Sequence, residues 1–558
     1  MSDPGDLRLG GYEAAVEARL ARWQEEAFGR RLWEKDHQLW SPEPIPELTD
    51  RLGWLDLPNS MMAEVGRLSR FGREVGQEGI RDAVVLGMGG SSLAPEVYSR
   101  TFGPAFGYPA VTVLDSTHPD AVRALATRLD PAKSLFVVSS KSGTTTEMLS
   151  FFYYFWETLA RVPDRGRHFV AVTDPGTPLE KLARERGFRD VFNAPPDVGG
   201  RYSALTPFGL VPAALLGVDV SRLLARAREM VNLCGPGREA SANPGLRLGA
   251  ALGELALAGR DKVTFVTSHS LASFPDWIEQ LIAESTGKIA LAGGEHRGIV
   301  PVAGEPLGGL ESYGDDRFFA ALLLRGDDVS AIEERLVALE RAGHPVARFH
   351  LSDRFDLGSE MFRWEVATAA AGAVLGLNPF DQPDVQLAKE LSNKAMKAAE
   401  AGVKPSSAGE VSADDSGALA PALTDWVRKA RPGDYLGLHA YLTPTPRTTE
   451  VLHALQALLH EKTRLAVTLG YGPRFLHSTG QLHKGGPDRC RFLQLVDEPA
   501  EDVPVPETHY TFGTLIRAQA DGDRQALEQR GRTVLRVQLG KEEDQGLYRM
   551  LQDLGTAF

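Results

Sequence analysis

The chain has 558 residues, of which 43% are hydrophobic and 24% charged, and its formal net charge at pH 7 is −13. This length is enough for roughly two to four domains with sizeable cores. The composition is ordinary for a globular protein. The negative charge argues against broad nucleic-acid binding, which needs clustered cations on a basic face. It is compatible with a small anionic substrate, because a site can be locally positive.

Cysteine usage and the N-terminus indicate the compartment. Cys234 and Cys490 are too few for a disulfide framework and suit a reducing environment. The N-terminus lacks a basic start followed by an apolar core, so it does not resemble a signal peptide. Apolar stretches fall short of the roughly 20 residues that span a membrane. We therefore expect a cytoplasmic protein.

In chain order, residues 1–60 are predicted to form a helical, charged N-terminal segment. From about residue 80, short β-rich runs alternate with helical stretches, which predicts parallel sheets with helices on both faces. We place a first α/β/α domain at 61–225 and a second at 226–400. The predicted strands of these two domains are residues 83–86, 111–114, 134–139, 168–172, 262–266, 318–324 and 346–351.

Residues 401–425 are small and polar with glycine and proline, and are predicted to be a linker. Residues 426–558 are predicted to form a C-terminal α/β domain. Its β-rich runs begin at residues 433, 464 and 492.

The C-terminal domain partly repeats the second domain. Residues 338–351 (ALERAGHPVARFHL) and 526–539 (ALEQRGRTVLRVQL) share the pattern A-L-E-x-x-G-x-x-V-x-R-x-x-L. Two unrelated helix–turn–strand units are an alternative, because that unit recurs in any α/β protein. The number of matches at one spacing favours a partial duplication.

Residues 139–147 read S-S-K-S-G-T-T-T-E, between an apolar run at 135–138 and a helical stretch. The N–H groups at a helix N-terminus attract anions, and hydroxyls add neutral donors. Helix capping would explain one or two hydroxyls, but not five with a lysine. We therefore predict a phosphate site. A second junction, residues 87–95, is weak evidence alone because it lacks the G-x-G-x-x-G spacing of a dinucleotide loop.

Three further motifs complete a pattern. They are G-G-R-Y-S at 199–203, Q-L-I-A-E-S-T-G-K at 280–288, and N-P-F-D-Q-P-D-V at 378–385 followed by Lys389. With the two junctions, these motifs resemble the glucose-6-phosphate isomerase family in type and order. The resemblance implies two sugar-isomerase (SIS) type domains, a sugar-phosphate substrate, no metal or redox cofactor, and a possible homodimer. It implies interconversion of glucose 6-phosphate and fructose 6-phosphate through an enediolate.

The resemblance also implies roles for individual residues. Glu284 is expected to move the proton between C1 and C2, Arg201 to stabilise the enediolate charge, and Lys389 to act at the ring oxygen. Substrate contacts are expected from Gly90, Ser91, Ser140, Lys141, Ser142, Thr145, Glu147, Gly200, Gln280 and Gln382.

One family feature is displaced. The ring-opening histidine is missing from residues 304–317, where the nearest match is Asp316. The second copy of the repeat carries H-S-T-G-Q-L-H at 477–483. We predict that His483 opens the ring from the C-terminal segment, with His477 as the second choice. A structural turn whose histidines bond only to the backbone is the alternative, and His296 is a further candidate whose context does not match.

Other functions are compatible with these motifs. A dual isomerase that also accepts mannose 6-phosphate is one, because the histidine region is altered. A non-catalytic sugar-phosphate sensor is another, although Glu284, Arg201 and Lys389 together argue against it. A similar isomerase portion occurs fused behind a transaldolase in bifunctional proteins. This chain has no transaldolase barrel, so we expect no such activity. A histidine supplied by the chain itself would relax the need for a dimer.

Overall fold

The computed structural model describes residues 4–400 and 409–557. Within them the chain forms three five-stranded sheets and one two-stranded ribbon. The N-terminal segment is largely helical, as expected, and also contains a short strand. Its elements are β1 (Asp6–Arg8), α1 (Glu13–Glu25), α2 (Phe28–Trp33) and α3 (Leu57–Ser60).

The first unit contains a wholly parallel sheet with the strand order β3-β2-β4-β5-β6. Strands β2 to β5 lie within one residue of the predicted runs, because continuous apolar stretches buried on both faces are typical of parallel strands, whereas the edge strand β6 was not predicted. Its elements are α4 (Val65–Gln77), β2 (Asp82–Leu86), α5 (Leu93–Phe102), β3 (Ala110–Leu114), α6 (Pro119–Arg128), β4 (Ser134–Ser139), α7 (Thr146–Thr158), β5 (Phe169–Thr173), α8 (Pro178–Glu185), β6 (Asp190–Asn193) and α9 (Pro207–Leu215).

The second unit has the strand order β1-β12-β11-β7-β10, in which only the edge strand β1 is antiparallel. Helix α14 is buried along nearly its whole length and packs against α10 and α11. The elements are α10 (Val220–Leu233), α11 (Pro244–Leu257), β7 (Lys262–Thr267), α12 (Phe274–Thr286), β8 (Lys288–Ile289), β9 (His296–Arg297), β10 (Val300–Val302), β11 (Arg317–Leu324), α13 (Ser330–Arg341), β12 (Val346–Leu351), α14 (Leu357–Leu375) and α15 (Val385–Glu400).

The third unit has the strand order β13-β17-β16-β14-β15 and is parallel throughout. The mixed α/β fold with parallel sheets is confirmed. The unit comprises β13 (Glu410–Ser412), α16 (Ser416–Arg428), β14 (Tyr435–Tyr441), α17 (Pro446–Thr463), β15 (Ala466–Tyr471), α18 (Gly480–Gly485), β16 (Cys490–Val496), α19 (Phe512–Gln529), β17 (Thr533–Gln538) and α20 (Glu543–Ala557).

The predicted linker at 401–425 needs correction. Residues 401–408 lie outside the described residues, but β13 and α16 follow directly. Leu419 and Leu423 of α16 are fully buried in the core of the third unit. Residues 410–425 therefore belong to the third unit, because α16 buries its leucines against the sheet of that unit.

In the described part of the chain, no helix combines the length and the apolar composition that crossing a membrane requires.

Candidate active site

The site begins at the carboxyl ends of β2 and β4, which are neighbours in the first sheet. The turn after β2 contains Gly90, where an added Cβ would lie 2.0 Å from the carbonyl oxygen of Gly200. Only glycine permits this approach, which brings the backbone beside Arg201 against the first sheet. Ser91 in the same turn is buried.

The hydroxyl-rich loop after β4 is folded by its own side chains. Ser140 Oγ lies 2.8 Å from Thr145 Oγ1 and accepts a hydrogen bond from the Gly143 N–H at 3.1 Å. Ser142 Oγ lies 3.0 Å from Thr144 Oγ1. Helix α7 starts at Thr146, and the Thr145 hydroxyl bonds to Ser140 instead of capping it. The first turn of α7 therefore keeps N–H groups available for an anion.

Lys141 differs from its neighbours in this loop. Its ammonium forms an ion pair with Asp174 at 2.5 Å and donates to the carbonyl oxygen of Pro196 at 3.2 Å. The lysine thus fastens the loop to the neighbouring end of the first sheet. Its positive charge is partly neutralised there, which weakens the expectation that it contacts the substrate.

Glu284 lies near the end of α12, beside a buried guanidinium. Arg201 Nη1 lies 3.2 Å from Glu284 Oε1, and Gln280 Nε2 donates to Glu284 Oε2 at 3.0 Å. Gln280 is one turn earlier on the same helix face, which explains the contact. Both oxygens of the carboxylate are therefore held, and its orientation is fixed.

Arg201 also organises the segment between α14 and α15. Its Nη1 also donates to the side chain of Gln382, and its Nη2 donates to the carbonyl oxygens of Pro379 and Asp381, at 2.8–3.0 Å. Lys288 Nζ donates to the carbonyl oxygen of Asp381 at 2.6 Å. Burial lowers the pKa of Lys288 to about 8, and the Asp381 carboxylate opposes that shift. Arg201 and Lys288 together clamp the loop that presents Gln382.

His477 connects the two halves of the site. Its Nε2 lies 3.0 Å from Glu147 Oε1, and its carbonyl oxygen accepts from Gln280 Nε2 at 2.8 Å. Burial raises the pKa of Glu147, but His477, together with a backbone hydrogen bond and Lys389, outweighs this effect and leaves the pKa below its ordinary value. Gln519 of α19 donates to the same Glu147 oxygen at 2.7 Å. The third unit thus contributes directly to the site.

His483 lies elsewhere. Its ring packs against His439, Phe475 and Phe492 inside the third unit, with only 4% of its surface exposed. Burial, together with His439 and Lys484, lowers the pKa of His483 well below its ordinary value. The structure therefore does not support the choice of His483 for ring opening, and it places His477 at the site instead.

A cavity of about 230 Å³ lies between the hydroxyl loop, α15 and the third unit. Lys389 lines it and is exposed. Its lining also includes Ser142, Thr144, Thr145, Thr146, Glu147, His477 and Gln519.

Sequence reasoning missed two supporting residues. Lys288 stands in the Q-L-I-A-E-S-T-G-K motif, so its place at the site could have been inferred. Gln519 carries no motif, and tertiary packing of α19 beside α7 brings it to Glu147.

Comparisons with known proteins give a consistent result. A family model described as phosphoglucose isomerase matches residues 61–303. A glucose-6-phosphate isomerase of Thermus thermophilus is 32% identical over 390 residues, which cover 62% of this chain and 90% of that protein. Its counterpart in Carboxydothermus hydrogenoformans is 36% identical over 251 residues, covering 42% of this chain and 53% of that protein.

Two solved structures are similar in fold. A hypothetical protein from Thermus thermophilus has a TM-score of 0.60 and 28% identity, and the match covers 70% of this chain and 99% of that one. A glucose-6-phosphate isomerase from Chlamydia trachomatis has a TM-score of 0.57 and 20% identity, and the match covers 69% of this chain and 86% of that one.

Proposed function

The chain belongs to the glucose-6-phosphate isomerase family and interconverts glucose 6-phosphate and fructose 6-phosphate, and we propose that Glu284 is the base of this reaction. An aldose–ketose isomerase needs one carboxylate that removes the proton from C2 and returns it to C1. Glu284 is held by Arg201 and Gln280 in one orientation, as this shuttle requires. The neighbouring guanidinium stays protonated and stabilises the enediolate oxygens.

The 6-phosphate is proposed to bind at the start of α7. Ser142 and Thr145 offer hydroxyl donors beside the first-turn N–H groups of the helix. Ser140 is buried and hydrogen-bonded to Thr145, so it stabilises the loop conformation from its buried side. Lys389 faces the same cavity and adds positive charge.

Ring opening is proposed to use His477. The imidazole gives a proton to the ring oxygen as the bond between C1 and that oxygen breaks, and the C1 hydroxyl gives its proton to solvent water, which leaves the open-chain aldehyde. Glu147 lies 3.0 Å from the ring and fixes its orientation. The observation that carries this proposal is the position of His477, which is bonded to Glu147 of the hydroxyl loop and to Gln280 beside the base.

A coupled assay on fructose 6-phosphate tests the assignment of Glu284. Glu284→Gln is expected to lower kcat by roughly 10²- to 10⁴-fold while sugar-phosphate binding persists. Glu450→Gln, which changes an exposed carboxylate on α17, is the matched control and should keep full activity. A Glu284→Gln enzyme as active as the control would refute the assignment. The same assay with mannose 6-phosphate measures dual specificity.

A second pair of variants tests the histidine. His477→Asn is expected to lower kcat on glucose 6-phosphate by about 10²-fold or more, whereas folded His483→Asn stays within a few-fold of wild type. The reverse result would return the role to His483.

The proposed compartment is the cytoplasm. Cys234 and Cys490 are both buried and form no disulfide, which is in keeping with a reducing environment.

A further inference from the structure

The second and third units share one chain path. In the second sheet β12, β11, β7 and β10 lie side by side, and in the third sheet β17, β16, β14 and β15 take the same four places. Within each set all the strands are parallel, and the chain visits the four places in the same sequence. Only the outermost strand differs, because β1 is antiparallel and β13 parallel.

The register of the strands also agrees with the sequence repeat. The two repeated segments fall on the end of α13 with β12, and on the end of α19 with β17. Val346 pairs with Phe319 in the second sheet, and Val534 pairs with Phe492 in the third. Val346 and Val534 hold the same position in the repeated pattern. The repeat is therefore structural as well as sequential.

One ion pair occurs in both copies. Arg348 Nε lies 3.1 Å from Glu333 Oε2, and Arg536 Nη1 lies 2.5 Å from Asp521 Oδ1. In each copy the arginine follows its acid by 15 residues and joins the helix to the strand after it. The same spacing with the same kind of contact supports duplication.

The two copies pack against each other reciprocally. The loop after β15 leads into the short helix α18, which reaches the end of α12, where Gln481 Nε2 donates to the carbonyl oxygen of Gly287 at 2.9 Å. The loop after β10 reaches the end of α17, where Arg464 Nη2 donates to the carbonyl oxygen of Tyr313 at 3.4 Å. Each copy thus places one loop on the corresponding helix of the other. This is the pattern of an isologous two-fold interface.

The two-fold arrangement creates two equivalent contact positions, one at α12 and one at α17, which hold different side chains. At α12, Gln280 and Glu284 meet the loop that carries His477, as described for the site. At α17, His460 Nε2 lies 2.9 Å from Ser312 Oγ, and Arg317 Nη1 lies 2.9 Å from Glu305 Oε2. The side chains of His460, Arg317 and Glu305 are at most 1% exposed. A buried ion pair fills the second position.

We infer that the third unit is a second copy of the second unit carried on the same chain, and that it takes the place of a partner subunit. The chain is then a single-chain pseudo-dimer with one working site, and His477 acts on substrate bound to its own chain. This inference rests on the proposed function for the roles of Glu284 and His477. The surface at which a partner subunit is replaced is the α12 side of the second unit, which the loop of the third unit covers.

Complementation between two inactive full-length variants tests the inference. Glu284→Gln and His477→Ala are co-expressed with different tags, and the purified mixture is assayed on glucose 6-phosphate. If His477 acts within its own chain, the mixture shows only the sum of the residual activities. If a second chain supplies His477, activity rises to about a quarter of wild type, because half of the random pairs are mixed and each mixed pair holds one intact site out of two. That rise would overturn the inference.

A dilution experiment on the wild-type enzyme gives a test that does not depend on the residue roles. We expect constant activity per chain over about a hundred-fold dilution, including concentrations at which light scattering gives the 60.6 kDa mass of one chain. Activity that falls in step with the dissociation of a dimer would contradict the inference. Wild-type activity in either single variant would instead count against the proposed function, and the dilution result would still decide the inference.

Discussion

At α12, the second unit presents Gln280 and Glu284 to a loop of the third unit, whereas at α17 the third unit presents His460 to a loop of the second. The first position is polar and lies next to a cavity, but the second is sealed around an ion pair. The same backbone arrangement therefore supports a reactive site or a structural contact. The side chains of the inserted loop determine whether the position becomes a reactive site or a structural contact.

The largest expected effect concerns the sealed position. Glu305→Gln removes the charge that faces the buried Arg317, and breaking one partner of a buried pair costs about 3–5 kcal/mol of unfolding free energy. Urea unfolding measures this loss, and the kcat of the folded fraction should stay near that of wild type. Glu311→Gln, an exposed acid in the same loop, is the control and should leave stability unchanged. Lost activity at unchanged stability would mean that this position is a second reactive site.

A matched pair of glutamines sharpens the comparison. Gln280→Leu removes a hydrogen bond to a carboxylate, a contact worth about 1.5–3 kcal/mol, so kcat/KM should fall by roughly 10- to 100-fold. Gln456 donates instead to the carbonyl oxygen of Val467 at 2.6 Å, inside the third unit. Gln456→Leu should therefore lower stability and leave kcat/KM of the folded enzyme unchanged. Equal kinetic losses in both variants would show that the two positions are not functionally distinct.

The core of the third unit contains buried histidines where the core of the second unit has an apolar residue, and this difference makes stability depend on pH. His439 in β14 occupies the place that Val266 holds in β7, and His483 packs against it. Burial lowers the pKa of both histidines, so the folded protein keeps them neutral. Below the ordinary value of 6.5, the unfolded chain binds more protons and stability falls.

We expect this loss to reach at most about 1.4 kcal/mol per pH unit for each histidine. His483→Leu should reduce the slope by about one proton, measured as unfolding free energy between pH 7.5 and 5.5. His509→Asn removes an exposed imidazole and serves as the comparison. An unchanged slope in His483→Leu would mean that this histidine already carries a proton in the folded protein.

The repeated ion pair gives the smallest expected effect. Glu333 is 34% exposed and Asp521 14%, so solvent screens the second-unit pair more strongly. Double-mutant cycles should give a coupling below about 1 kcal/mol for Arg348–Glu333 and a larger value for Arg536–Asp521. A stronger coupling in the second unit would contradict this ranking.

Most strands could be predicted from the sequence because apolar runs buried on both faces are distinctive. The edge strand β1 could not, since its three residues carry no periodicity and are held only by pairing with β12. Most of helix α16 falls within the predicted linker, because its small residues and Pro421 resemble a loop. In both cases tertiary packing overrides local composition.

The site was predictable where motifs specify chemistry, as for the contact between Glu284 and Arg201. The choice between His477 and His483 was not, because both stand in one short motif. His477 lies in the turn before the short helix α18, and His483 lies on that helix. The ring of His477 therefore meets Glu147, whereas the ring of His483 points into the core. Similarly, no sequence pattern indicates that Lys141 pairs with Asp174, which lies 33 residues away.

The buried pair of Glu305 and Arg317 has a consequence for behaviour on heating. Hydration of charged groups becomes less favourable as temperature rises, so the desolvation penalty of a buried ion pair decreases. This pair belongs to the second unit, and Glu305 also accepts the N–H of Val467 in the third unit at 2.8 Å. The contact of Glu305 with Arg317 and Val467 should therefore hold the second and third units together more firmly at high temperature. It would keep His477 beside Glu284 until the units themselves melt.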